Sequence, residues 1–127
     1  MLARHLIYLL LFTYNCCYAL IDKPKITSYI INLDRSKDRL AYVQPRVNAL
    51  GYPVVRFPAV DGYNLTKETL SRVVSKNFYS YTGDYADLGT IGCALSHAKV
   101  WERFLATDAD YALIFEDDVY FSAAELQ

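Results

Sequence analysis

The sequence predicts an α/β domain built on a parallel sheet, and three observations carry the prediction. Apolar, β-branched runs alternate with stretches of helical periodicity in the order strand, helix, strand. Turn signals separate them, with Gly51 and Pro53 after the first helical stretch and Pro58 to Gly62 after the second strand. The run Tyr111-Ala112-Leu113-Ile114-Phe115, which reads as a strand buried on both faces, leads without a turn into Glu116, Asp117 and Asp118. Unpartnered carboxylates are costly to bury, so three of them closing an apolar strand point to an open crevice and a bound cation. In open parallel sheets such a crevice lies beyond the carboxyl ends of the strands. Acids that only end a strand, cap a helix or face water would look the same taken alone.

Lys25 to Leu33 is a β-rich run followed by the charged stretch Asp34 to Arg39. From Ser36 onward Leu40, Val43, Val47 and Leu50 recur at helical spacing as far as Gly51, a C-terminal stop. Pro45 lies inside that helix and should bend or split it. Val54 to Phe57 is the second strand, completing a βα unit of a parallel sheet. Thr66 is placed to cap a further helix with Leu70, Val73 and Val74 on its apolar face, and Asn64-Leu65-Thr66 is a glycosylation sequon. Lys76 to Asp87 reads as a polar, tyrosine-rich loop near the crevice. In the helix that follows, Ile91, Ala94, Leu95, Ala98, Trp101 and Leu105 form one stripe, with Ser96 and His97 at its edge. Its glycines and small residues allow it to start close to other backbone. Thr107 to Asp110 then turns the chain into the acidic strand.

The 127 residues suffice for one domain and one core. A net charge of -1 with 21% charged residues carries no polyanion-binding bias, which argues against nucleic acid as a partner. The 12 tyrosines are expected as half-buried strand and interface surface, without a chemical role. Residues 1–22 differ from the body: Arg4 and His5 precede the apolar run Leu6 to Phe12, and Cys17-Tyr18-Ala19 offers a small-x-small site. That pattern predicts a secretory leader or a signal anchor, and with it membrane association, although the apolar core falls short of the roughly 20 residues of a spanning helix. Residues 23–127 then form the domain proper. Cys16 and Cys17 fall in the leading segment, so Cys93 is alone in the body and is expected to be a small buried residue.

Four blocks in order carry a resemblance. They are Ile31-Asn32-Leu33-Asp34-Arg35-Ser36-Lys37-Asp38-Arg39, Phe57-Pro58-Ala59-Val60-Asp61-Gly62, Ile91-Gly92-Cys93-Ala94-Leu95-Ser96-His97 and Ala112-Leu113-Ile114-Phe115-Glu116-Asp117-Asp118. Together they make the chain similar to the glycosyltransferase family 25 proteins, which include bacterial lipooligosaccharide galactosyltransferases and collagen galactosyltransferases. The resemblance runs from about Ile26 to Phe121. It implies a GT-A-like (Rossmann-like) nucleotide-sugar-binding sheet with flanking helices, of which this chain is the N-terminal part, incomplete at its C-terminus.

The activity implied is transfer of a sugar, commonly galactose from UDP-galactose, to a hydroxyl of a glycan, lipooligosaccharide or glycoprotein acceptor. By the same resemblance Asn32, Arg35 and Arg39 lie close to the nucleotide, and His97 contacts it or supports the site. Glu116, Asp117 and Asp118 correspond to a DxD-like motif that helps hold Mn²⁺ or Mg²⁺ and the sugar diphosphate, with Asp118 as direct ligand and Asp117 or Glu116 assisting. Arg35 and Arg39 either contact phosphate or pair with Asp34 or Asp38 on a solvated turn. Thr90 stands where the family usually carries an acid, and no catalytic base is identified within the chain. Bacterial relatives work at the cytoplasmic face of the inner membrane, whereas the leader and sequon suit a secretory lumen. The alternative is a truncated or degenerate relative that at most binds a nucleotide sugar. A receiver-type phosphoryl-transfer domain also carries acids at strand ends, but the other three blocks fit it poorly.

Overall fold

A computed structural model describes residues 23–74 and 87–121. The expected leader and nearly all of the expected Lys76 to Asp87 loop lie outside these residues. Three parallel strands form the sheet: β1 (Ile26–Asn32), β2 (Val54–Pro58) and β3 (Tyr111–Glu116), in the order β2-β1-β3. Among the described residues four helical segments accompany them: α1 (Lys37–Asn48), a 3-10 turn at Gly62–Asn64, α2 (Lys67–Val73) and α3 (Leu88–Leu105). The α/β class and the parallel sheet follow the sequence pattern.

Tyr29, Ile30 and Ile31 of β1 are all buried, because the strand has a neighbour on each edge and a helix on each face. Ile30 packs with Val43 and Val47 of α1, while Tyr29 and Ile31 pack with Val100 of α3. Alternate residues of a strand point to opposite faces, so this single run supplies both halves of the core. Strand β3 does not have that position: among the described residues it is an edge strand, its interior half-buried and Tyr111 60% exposed. The reading of Tyr111 to Phe115 as buried on both faces is therefore corrected. Among the described residues β3 pairs only with β1, and both its faces are half-covered, Ala112 and Ile114 packing with the cluster of Val100 and Phe115 with that of Val43.

Two further expectations change. Pro45 neither splits nor ends α1, which runs unbroken from Lys37 to Asn48. The proline lies close to the C-terminal end, where one missing N–H affects only the carbonyl of Ala41, and the next carbonyl, that of Tyr42, accepts a side-chain bond from Arg46. Helix α3 is rotated from its predicted stripe: Ile91, Gly92, Ser96 and Val100 face inward, while Trp101 and Leu105 are 56% and 79% exposed. Hydrophobicity points to the wrong face because the closest helix contact is made by small residues. A Cβ on Gly62 would lie 1.6 Å from the Leu88 carbonyl oxygen, and one on Gly92 would lie 2.6 Å from that of Val60. Ser96 Oγ accepts from the Val60 amide at 2.8 Å and donates to the Gly92 carbonyl at 2.7 Å, locking the helix to the segment after β2.

Local signals hold where they are most explicit. Gly51 takes φ +79° just past α1, and Thr66 Oγ1 accepts from the Thr69 amide at 3.1 Å at the start of α2. The expected apolar face of α2 is not buried among the described residues, with Val73 44% exposed.

The cap of α3 is Asp87, whose carboxylate accepts from the Thr90 amide at 2.8 Å and from the Thr90 hydroxyl at 3.2 Å. The Thr90 backbone bond, followed by its hydroxyl, holds the Asp87 carboxyl below the ordinary aspartate range. A lowered folded pKa stabilises the ionised state, so this contribution is fully present above the ordinary aspartate pKa and is lost as pH falls through the lowered value. Acid unfolding of Asp87→Ala, followed by circular dichroism, should lack that part of the pH dependence. A profile parallel to the parent's across this acidic window would refute the assignment.

Candidate functional site

The carboxyl ends of all three strands open on one side of the sheet, where β1 ends at Asn32, β2 at Pro58 and β3 at Glu116. Because the order is β2-β1-β3, the chain leaves β1 toward one edge and later returns to the other. The switch point lies between β1 and β3, the place where open α/β sheets bind ligands. A crevice of about 200 Å³ lies at this end, walled by the acidic motif, Arg35, Arg39, Asp61 and Cys93.

The three consecutive acids separate on leaving β3. Asp117 turns inward and is buried, its carboxylate accepting from Asn32 Nδ2 at 2.6 Å and facing Arg39 Nη1 at 3.1 Å. Asp118 turns outward, its side chain 65% exposed and 4.0 Å from Arg39 Nη1. Glu116 faces α3, with Oε1 3.2 Å from His97 Nε2 and 3.6 Å from Cys93 Sγ. Their divergence follows from the alternation of a strand and the turn that begins at Asp117.

Asn32 is buried and its amide is fully engaged: Nδ2 donates to the Ser36 carbonyl at 2.8 Å as well as to Asp117, and Oδ1 accepts from Arg56 Nε at 3.1 Å. It ties the β1–α1 turn, the end of β2 and the acidic motif to one another. Arg39 completes this knot, donating from Nη2 to Ser36 Oγ at 3.2 Å. Arg35 does not pair with its neighbours on the turn; it reaches Asp61 after β2. Asp34 pairs with Arg56 instead. Arg56 and Asp61 are site residues that the sequence reading did not single out. Asp61 falls within one of the four recognised blocks, which was its only signal; Arg56, inside an apolar strand, had none beyond being a charge there.

Cys93 is exposed, which corrects its expected burial. Gly92, one position back, takes the inward place on α3 and leaves the thiol facing the crevice. Partial desolvation, then the Glu116 charge, push the Cys93 thiol above its ordinary value. His97 lies edge-on to Trp101, ring centroids 6.5 Å apart. On the other flank of the acids, Tyr42 and Tyr120 pair at 5.3 Å, with Tyr120 81% exposed. Among the described residues no helix is long and apolar enough to cross a membrane.

Comparison with known proteins finds relatives in one family. The profile of glycosyltransferase family 25 (LPS biosynthesis protein) matches residues 25–127. A glycosyltransferase 25 family member of Aedes aegypti is 36% identical over 97 residues, covering 73% of this chain and 16% of the relative. Human procollagen galactosyltransferase 2 is 32% identical over the same share of each. A putative glycosyltransferase of Haemophilus influenzae is 29% identical over 73% of this chain and 32% of its own length. The human inactive glycosyltransferase 25 family member 3 is also similar, at 28% over 75% of this chain and 17% of its own length. The chain thus spans about a sixth of the animal relatives and about a third of the bacterial one. No solved structure matches it significantly. With the family profile covering residues 25–127, nearly the whole body, the chain belongs to glycosyltransferase family 25.

Proposed function

We propose that this chain forms the donor-binding part of a glycosyltransferase of GT-A type, taking a nucleotide sugar such as UDP-galactose. The observation that carries this reading is the meeting of Asp117, Asp118 and Arg39 at the switch point between β1 and β3. A diphosphate leaving group needs its developing charge neutralised, and oxygen-rich acidic sites bind the hard cations Mn²⁺ or Mg²⁺ that do so. The residues fit such an ion: Asp118 presents exposed carboxylate oxygens into the crevice, and Asp117 is held rigidly beside it by Asn32 and Arg39. Asp118 would be the direct ligand, with Asp117 assisting, while Glu116 is directed at His97. Arg35 and Arg39 supply guanidinium groups at the rim, and the exposed rings of Tyr42 and Tyr120 offer a face for a base or sugar.

The acceptor belongs to the same proposal: a glycan, lipooligosaccharide or glycoprotein. The leader-like residues 1–22 and the sequon at Asn64 support membrane association or a secretory lumen. A second reading, a non-catalytic relative that only binds the nucleotide sugar, is favoured by the similarity to a family member named inactive.

Calorimetric titration with UDP-galactose, with and without Mn²⁺, tests donor binding. Outer-sphere partners of metal ligands alone are worth about 10–100-fold in metal affinity, so Asp118→Ala should weaken manganese-dependent binding by at least about tenfold. Absence of binding by the folded chain, or binding indifferent to both manganese and Asp118, would refute the donor site. Glycosyl transfer by a longer form carrying the same site separates the enzyme from the binder.

A further inference from the structure

Cys93, His97 and Glu116 gather a thiol, an imidazole and a carboxylate on the α3 side of the crevice, and the donor-site reading uses none of them as a set. Cys93 and His97 are four residues apart on α3, so their side chains stand one above the other on the same side of the helix. Glu116 comes to them from the end of β3. All three potential ligand atoms lie within 4.8 Å of one another. Among the described residues this is the one group of three or more histidine, cysteine or acidic side chains with ligand atoms so close.

The separations are informative. Zinc–nitrogen and zinc–oxygen bonds near 2.0–2.1 Å and a zinc–sulfur bond near 2.3 Å, arranged tetrahedrally, place nitrogen and oxygen roughly 3.3 Å apart and sulfur and oxygen roughly 3.6 Å apart. The observed values are 3.2 Å for His97 Nε2 to Glu116 Oε1 and 3.6 Å for Cys93 Sγ to Glu116 Oε1. The Trp101 ring against the His97 edge restricts the imidazole, and the inward packing of Gly92 and Ser96 fixes the helix that carries two of the ligands. Cys93 and Glu116 are exposed to the crevice, so an ion has a path in and a coordination position left open to solvent.

We propose that Cys93 Sγ, His97 Nε2 and Glu116 Oε1 bind one thiophilic divalent cation of the zinc class, with the fourth position facing the crevice. Thiolate and imidazole select such an ion over magnesium or manganese, whereas the oxygen donors of Asp117 and Asp118 select the reverse. The two sites therefore differ in ligand chemistry although they share a strand end. Occupancy joins the middle of α3 to the end of β3 and directs Glu116 away from Asp118.

The test uses the full chain carrying Cys16→Ser and Cys17→Ser, which leaves Cys93 as the sole thiol. Titration with Co²⁺ should give a sulfur-to-cobalt charge-transfer band and intense tetrahedral visible bands at one equivalent, displaced by Zn²⁺ but not by excess Mg²⁺. Cys93→Ser should abolish the charge-transfer band, and His97→Ala or Glu116→Gln should each weaken Zn²⁺ binding by at least about tenfold, since even outer-sphere changes reach that size. Circular dichroism of each variant establishes that it is folded. A folded parent chain without the charge-transfer band, or Zn²⁺ affinity unchanged by Cys93→Ser, would overturn the site. So would Zn²⁺ binding lost in Asp118→Asn but kept in Cys93→Ser.

Discussion

Asn32→Ala is expected to destabilise the chain by about 3 kcal/mol, through loss of a buried amide that serves charged groups on two sides. Hydrogen bonds to charged partners are worth roughly 1.5–3 kcal/mol each, and Asn32 makes one to Asp117 at 2.6 Å and one to Arg56 at 3.1 Å. The Asp117 side chain is only 10% exposed, so water cannot fully replace the lost donor. Arg56 is 33% exposed, and its share is smaller because solvent screens it. Urea unfolding should show a lower midpoint with an unchanged slope, as befits a change in stability without a change in the surface exposed. Asn32→Asp is a sharper companion: it keeps the shape but sets a second carboxylate against Asp117. Its loss of stability should be greatest at neutral pH and partly recovered on acidification, when the pair can share a proton. Equal midpoints for parent and Asn32→Ala would show that Asn32 does not hold the acidic motif in place.

Gly62→Ala should cost at least about 3 kcal/mol, at or beyond the upper end of ordinary overpacking. The added Cβ would fall 1.6 Å from the Leu88 carbonyl oxygen and 2.5 Å from its carbon, both backbone atoms that no rotamer change can move. Helix α3 would have to back away from the segment after β2, breaking the Ser96 bridge to Val60 and displacing Cys93 and His97 from Glu116. Gly92→Ala meets backbone at 2.6 Å and 2.7 Å and should cost less. Gly51→Ala meets nothing within 4 Å but keeps a left-handed backbone, for a cost of about 1 kcal/mol. Thermal midpoints in the order Gly51→Ala, Gly92→Ala, Gly62→Ala, from highest to lowest, are the expected result. A Gly62→Ala chain as stable as Gly51→Ala would mean that α3 does not pack this closely.

The sequence by itself determined much of what depends on neighbours a few residues apart. The periods of β1 and α1, the stop at Gly51, the cap at Thr66 and the apolar run into Glu116 are all local, set by backbone sterics and short-range hydrogen bonds. The order of strands and helices that makes a parallel sheet follows from them, as does the family, because four blocks in order are a property of the chain rather than of its packing. Tertiary structure alone decided which faces meet. Helix α3 turns its Gly92 and Ser96 face inward although Trp101 and Leu105 are the larger apolar residues, because close approach of two backbones rewards the absence of a side chain. Among the described residues strand β3 pairs on one side only, with β1, which its composition cannot reveal. Likewise, three adjacent carboxylates look like one cluster in sequence, yet Asp117 is claimed by Asn32 and Arg39, Glu116 by His97 and Cys93, and Asp118 is left to the crevice. Partners that lie between 19 and 85 positions away in the chain make that division, and only folding brings them within hydrogen-bond distance.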